Sequence, residues 1–462
     1  MSNLLAMIGT AGNALDVFQQ ALNVVQNNVS NSSTPGYARQ SLNLEAMPLD
    51  VTAGLAGGVA SAGLSDSRNQ YAEEQVQRQT QTLGQYTAQA QATGSIQSLF
   101  DVTGSGGVPA ALSALSQAFS AWSATPNDSS QRQNVIASAN TLASSIHSLS
   151  SSLTSNGQQL DSNISSTTAQ VNAIAGQIQA YNVDRLGRTT PDPGEDAQLH
   201  SALDNLSQLT NFSTVTQNDG TVTVMLGGGS PLVIGTQQND LSAASSGGQS
   251  HILDSQGHDI TSQVTSGQLG GLLDVRNRVL AGVIGDAQQS GSLNQFAAAL
   301  ADGINQTLQS GKQSSDPAAA SGVALFTYDP ANAAATFAVD PSVTPAQLAP
   351  VDATGTANGN ANQLAALANA PNSALGGMTI TQFLGQMTAA VGQENSTATS
   401  NQQSQQQVVA QATTLLNQAS GVSLDQEAVN VLQFQRAYQA SAQVLTVLNT
   451  LADSLLAIMP PA

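Results

Sequence analysis

Apolar residues recur in alternating steps of three and four at both ends of the chain. Leu4, Ile8, Ala11, Leu15, Phe18, Leu22, Val25 and Val29 make the first stripe. Val431, Phe434, Tyr438, Ser441, Leu445, Leu448, Ala452, Leu455 and Met459 make the second. This spacing sets side chains on one helical face and predicts helices of about 25–30 residues, each about 40 Å long. Stripes at the two extremes of one chain predict that the termini pair in one rod. Such a rod normally carries Glu and Lys beside its seam. Here residues 1–40 hold only Asp16 and Arg39 as charges, and residues 422–462 only Asp425, Glu427, Arg436 and Asp453. Flanks of Gln, Asn, Ser, Thr and Ala suit packing against further subunits, although periodicity alone fits a helical hairpin at the edge of a globular domain equally well.

Between the ends the pattern changes several times. Tyr37–Leu44 alternates as a short strand, Gly54–Gly63 reads as a turn region, and Ser65-Asp66 would cap a helix from about Ser67 to Phe100. Gly104–Pro109 breaks the chain before a helix carrying Leu112, Leu115, Phe119 and Trp122. Apolar positions then repeat at sevens, as in Val135, Leu142 and Leu149 or Ile164, Val171 and Ile178, which predicts one long bundle helix. Arg185–Glu195, with Pro191 and Pro193, reads as a linker, and Gln198–Leu209 as a short helix. Thr214–Leu226 predicts a β-hairpin around Asn218-Asp219-Gly220. Helices resume through Asn294–Leu308, Thr356–Asn372 is a low-complexity linker turning to helix, and Thr379–Leu416 is a long Gln-rich helix.

Composition narrows the function classes. The chain has 462 residues, 40% hydrophobic but only 3% aromatic and 8% charged, with 40 Gly. That favours long Ala-rich helices packed side by side. Ten basic residues against 29 acidic ones give a formal charge of −19, a poor match to nucleic acid or anionic membrane. No run approaches the 18 or so apolar residues of a membrane span. Cysteine is absent, which removes disulfides and thiolate metal sites.

The junction after the first helix reads Asn27-Asn28-Val29-Ser30-Asn31-Ser32-Ser33-Thr34-Pro35-Gly36-Tyr37-Ala38-Arg39-Gln40. Asn and Ser compete for backbone hydrogen bonds and end the helix; Pro-Gly sets a turn. The string resembles the N-terminal signature of bacterial flagellar axial proteins, the rod, hook and hook-associated proteins, with Ser30 in place of a commoner Ala. Gln435-Arg436-Ala437-Tyr438-Gln439-Ala440-Ser441 resembles the matching C-terminal signature. The stretch Ala118–Asp128 around Trp122, with Arg132-Gln133, narrows the resemblance to the hook-associated proteins of the hook–filament junction, and to the first of the two.

No stretch offers a persuasive active site. His251, Asp254, His258 and Asp259 fall within nine residues and could ligate a cation, but their spacing matches no zinc pattern and reads as turn chemistry. His147 and His200 are isolated. Gly227–Gly229 lacks the Lys-Ser/Thr of a phosphate cradle, and Asp192, Glu195 and Asp196 read as a solvated linker cluster.

The reading is a mainly α protein with three parts: a terminal coiled-coil domain from paired N- and C-terminal helices, a long-helix bundle domain, and a small β-rich subdomain. Its expected divisions are 1–36, 37–185, 186–265, 266–420 with a reduced outer insert near 310–360, and 421–462. The expected assembly interface is Leu4, Ile8, Leu15, Phe18, Leu22, Val25, Val431, Phe434, Tyr438, Leu445, Leu448 and Leu455, unordered until neighbours bury it. The resemblance implies a non-enzymatic junction component of the flagellum, extracellular and exported through the flagellum-specific type III apparatus without a cleaved signal. It further implies a homo-oligomeric ring, contacts to the hook protein and the second junction protein, an export chaperone on the C-terminal helix, and no cofactor or metal. The second junction protein or another hook or rod component, or a secreted coiled-coil adhesin, is the alternative.

Overall fold

The computed structural model describes residues 2–50, 55–100, 106–188, 192–316 and 318–458. Gly54, Gly104, Pro191 and Met459, used above, lie outside them. Helix α1 spans Ser2–Ser30. A β-ribbon follows, β1 (Gln40–Ala46), β2 (Leu49–Asp50), β3 (Leu55–Ala56) and β4 (Val59–Asp66), with β1 paired antiparallel to β4. Sequence reading saw only a strand and a turn there. The returning strand is rich in Gly, Ala and Ser, so its alternation is faint.

Helix α2 is Gln70–Gln97, started by the Asn69 side chain accepting from the Ala72 amide. It begins three residues later than expected because Ser67 and Asn69 are tied to Ser420, not to a helix. Helix α3 is Gly107–Ala124, and α4 runs unbroken from Ser129 to Leu186, 58 residues or about 87 Å at the helical rise. Its buried stripe includes Val135, Leu142, Ile146, Leu153, Leu160, Ile164, Val171 and Ile178, the heptad-like positions expected. At Gly157 the stripe admits a close neighbour, for a Cβ there would lie 3.2 Å from Leu280 Cδ2.

Helix α5 (Pro193–Leu209) leads into a four-stranded antiparallel sheet of β5 (Phe212–Thr216), β6 (Val222–Leu226), β7 (Pro231–Ile234) and β8 (Gln237–Gln238). Asp219 accepts from the backbone and hydroxyl of Thr221 to close the expected hairpin turn. A separate hairpin, β9 (Ser242–Ser246) and β10 (Gln249–Leu253), lies along α4. Helix α6 (Gly267–Asp274) passes through a π-helical turn, Val275–Leu280, into α7 (Ala281–Ile284). That turn sends Arg276 to Asp161 of α4, and Arg278 to Asp274 and on to Glu394.

Helix α8 (Ser292–Ser310) precedes an irregular module containing β11 (Phe326–Thr327), the short α9 (Ala333–Thr336) and β12 (Ala338–Val339), then α10 (Gly359–Leu367). Arg132 of α4 holds this module. Its guanidinium lies 5.9 Å from the centre of the Trp122 ring and donates to the carbonyls of Pro126, Gln313, Pro345, Ala346 and Leu348. Trp122 is wholly buried, as a core anchor should be.

Helix α11 (Ile380–Ser420) starts with a Thr379–Gln382 capping box and packs antiparallel on α2. Its seam is joined by amide hydrogen bonds such as Asn395 to Gln97 and Gln405 to Gln79, and at Gly94 the Asn395 side chain comes close, 3.4 Å from where a Cβ would lie. Helix α12 (Leu424–Ile458) returns along α1. A two-helix rod therefore continues through a two-helix stalk into the broad α4-centred body. The fold is mainly helical, with long N- and C-terminal helices flanking small β-sheet subdomains.

Candidate assembly site

The residues of the N-terminal signature meet in a polar latch where the rod joins the stalk. Asn28 is completely buried. Its amide nitrogen donates to the Gln40 carbonyl at 2.8 Å and to Glu427 Oε2 at 3.3 Å; its amide oxygen accepts from the Gln40 N–H and the Tyr37 hydroxyl. Arg39 Nε donates to Glu427 Oε1 at 2.6 Å, and the Arg39 N–H donates to the Ser420 carbonyl. One carboxylate at the head of α12, fully buried, thus joins the end of α1 to the chain that follows it. Buried charge is tolerated only when paired and hydrogen-bonded, and here both conditions hold. Burial and the nearby Glu427 charge push the Tyr37 phenol above its usual range.

Gly36 is the turning point. Its φ of +74° is a left-handed conformation that glycine adopts at least cost. A Cβ there would also meet the Ala197 carbonyl oxygen at 2.3 Å, so the turn lies directly on α5. Arg68 donates to the Gly36 carbonyl and pairs with Glu73, whose carboxylate also has His200 Nδ1 at 2.8 Å, without hydrogen-bond alignment. Burial alone would raise Glu73, but His200 and Arg68 hold its carboxyl below the ordinary range. Asp204 beside it is raised, by burial and then by the charge of Glu73. His200 is therefore not isolated. Asn27, Asn31 and Thr34 bond to one another around the helix end, and Pro35 stays exposed. Glu427, Ser420, Arg68 and Glu73 were missed by sequence reading; Glu427 stood out only as one of four charges in a nearly neutral segment.

The latch sets the phase of the rod. On α12 the expected stripe faces α1: Leu448 is 6% exposed, and Val431, Phe434, Tyr438 and Leu445 are half-buried. Leu455 is exposed, near the end where α1 gives out. On α1 burial is distributed differently. Ala11 and Val25 are buried and Leu4, Ile8, Leu15, Phe18 and Leu22 half-buried, but Val17, Ala21 and Asn28 occupy the centre and Val29 is exposed. Turning Asn28 toward Glu427 rotates the helix by part of a step, and Ala21 allows close approach. The two stripes therefore face each other within one chain. A second apolar row remains open on α12: Val444, Val447, Leu451 and Leu455, with Val447 58% exposed.

Elsewhere, His251 pairs with Asp259 and His258 with Asp254, two separate pairs on the β10 hairpin. Among the described residues no group of three or more His, Asp or Glu is placed to hold a metal. Asp192 caps α5, Glu195 pairs with Arg188 and Asp196 accepts from Tyr181, so this cluster is structural and not a freely solvated linker.

Latched terminal helices around a long-helix body define a mainly helical class of protein whose two chain ends are joined. The comparisons with known proteins agree. The family model described as flagellar hook-associated protein FlgK helical domain matches residues 93–326. Two flagellar rod models match the ends: the flagella basal body rod protein at residues 8–37, and the FlgEFG C-terminal model at residues 415–458. The chain belongs to the flagellar hook-associated protein FlgK family. It is 28% identical over 152 residues to flagellar hook-associated protein 1 of Bacillus subtilis, a match spanning 31% of this chain and 30% of that protein's length. Its fold is similar to that of the flagellar hook junction protein FlgK from Burkholderia pseudomallei, with a TM-score of 0.50 and 22% identity, over 55% of this chain and 46% of the other.

Proposed function

We propose that the protein is a non-catalytic structural component of the bacterial flagellum, lying outside the cell at the junction between hook and filament. The observation that carries this reading is the pairing of the two chain ends into a latched rod on a helical body matched by the junction-protein family model. The terminal rod, residues 1–36 with 421–462, serves as the assembly unit. Residues 37–185 and 266–420 form the helical body, and 186–265 the β-rich part. The inner stripes, Leu4 to Val25 against Val431 to Leu448, build the rod, and the open row on α12 meets other subunits in a ring. Contacts above and below are to the hook protein and to the second junction protein. A chaperone holding the apolar face of α12 before export fits the exposed row, in a helix-in-groove manner.

Electron microscopy of cells deleted for the gene, with an assay of flagellin in the medium, tests the reading. Hooks without filaments and flagellin shed into the medium are expected. Intact filaments would refute it, and missing hooks would place the protein lower, in the hook or rod.

A further inference from the structure

Cations are scarce in this chain, and the structure accounts for nearly all of them. Of the ten Lys and Arg, six pair with carboxylates. Arg132 and Arg185 donate to backbone carbonyls, and Lys312 is also engaged. Among the described residues Arg436, exposed on α12, alone has no such interaction. Helix α1 carries a single charge, Asp16, also exposed and without an ion pair among the described residues.

The two lie at nearly one height along the rod. Asn28 and Glu427 mark the latched end. Asp16 lies twelve residues from it and Arg436 nine, about 18 Å and about 14 Å along antiparallel helices at the rise per residue. They cannot meet within one chain. Asp16 shares its face with Asn13, Gln20 and Asn23, Arg436 with Leu432, Gln439 and Gln443, and all six are exposed. Each charge therefore points away from the seam, with two helix thicknesses, about 20 Å, between them. One outer edge of the rod presents a lone carboxylate and the other a lone guanidinium at a matching level.

Resting on the assembly role proposed above, we infer that the partner of Arg436 is Asp16 of a second copy of this chain. Rods set side by side, α12 of one against α1 of the next, form a heterologous contact of the kind that closes into rings. The neighbouring apolar row, Val444, Val447 and Leu451, supplies contact area. The ion pair sets height and orientation, because an otherwise neutral amide and apolar surface would allow rods to slip. A chain of net charge −19 also gains from using its one spare cation against a copy of itself.

The absence of cysteine makes the test direct. Chains carrying Asp16→Cys and Arg436→Cys together are expressed in deletion cells and mildly oxidised. A ladder of disulfide-linked multimers, absent from each single variant, is expected. In parallel, Asp16→Arg and Arg436→Asp alone should each release several-fold more flagellin into the medium, and the double swap should restore filaments, while Arg436→Lys stays near wild type. Oxidation within single chains, no ladder in cells that bear filaments, or a double swap that does not rescue would overturn the pairing and leave the junction role standing. Deletion cells that keep their filaments would overturn both.

Discussion

At residue scale the latch concentrates constraint in few side chains. Gly36→Ala combines a positive φ with a Cβ 2.3 Å from the Ala197 carbonyl oxygen; strain of about 1–3 kcal/mol adds to the clash. Thermal unfolding should show a lower midpoint, and hydrogen exchange should quicken in α5 and at the end of α1. The neighbouring carboxylates respond to pH in opposite senses. Glu73 is held low in the folded chain, so it stabilises above the ordinary carboxylate range, and that support is lost as pH falls through its folded value. Asp204 is raised, so it penalises folding at neutral pH and does not in strong acid. Glu73→Gln should therefore lower the melting temperature at pH 7, whereas Asp204→Asn should raise it. Melting curves in strong acid should show neither effect. Of this network, Asn28, Gly36, Tyr37 and Arg39 were visible as a motif, but their partners were not: a sequence does not display which carboxylate 388 residues away will be buried beside an arginine.

At the scale of elements, the rod has an inner face and an outer face. Leu448 faces α1 and Val447, one residue earlier, faces outward. Leu448→Asp buries a charge in the seam, at a cost of several kcal/mol, and should part α12 from α1. Amides of both helices would then exchange rapidly while α4 keeps its protection. Val447→Asp should leave the exchange pattern of the monomer unchanged and impair incorporation at the junction. Equal effects of the two substitutions would show that inner and outer faces are not distinct. The period of three and four located both helices. Which residues sit at the centre of α1 follows a polar contact, Asn28 with Glu427, which hydrophobic periodicity does not encode.

For the whole molecule, Arg132 links two regions more than 180 residues apart. Arg132→Met would strip donors from the carbonyls of Gln313, Pro345, Ala346 and Leu348, at about 1–3 kcal/mol for each group left buried and unpaired. Limited proteolysis should cut first between residues 313 and 348 while the α4 body resists. The Trp122–Arg132 stretch was legible as a family feature and as a core anchor. Its task of holding the outer module was not, since the recipients are backbone carbonyls with no side-chain signature.

The sequence by itself determined the helical class, the pairing of the ends, the long central helix, the Asp219–Gly220 hairpin and the family, because each rests on local periodicity, turn chemistry or a contiguous motif. Tertiary structure alone decided which apolar rows are spent inside the chain and which stay open. It also decided where the scarce cations go and which histidine meets a carboxylate. Those outcomes depend on the rotation of one helix against another and on contacts between residues hundreds of positions apart, quantities that no local pattern carries.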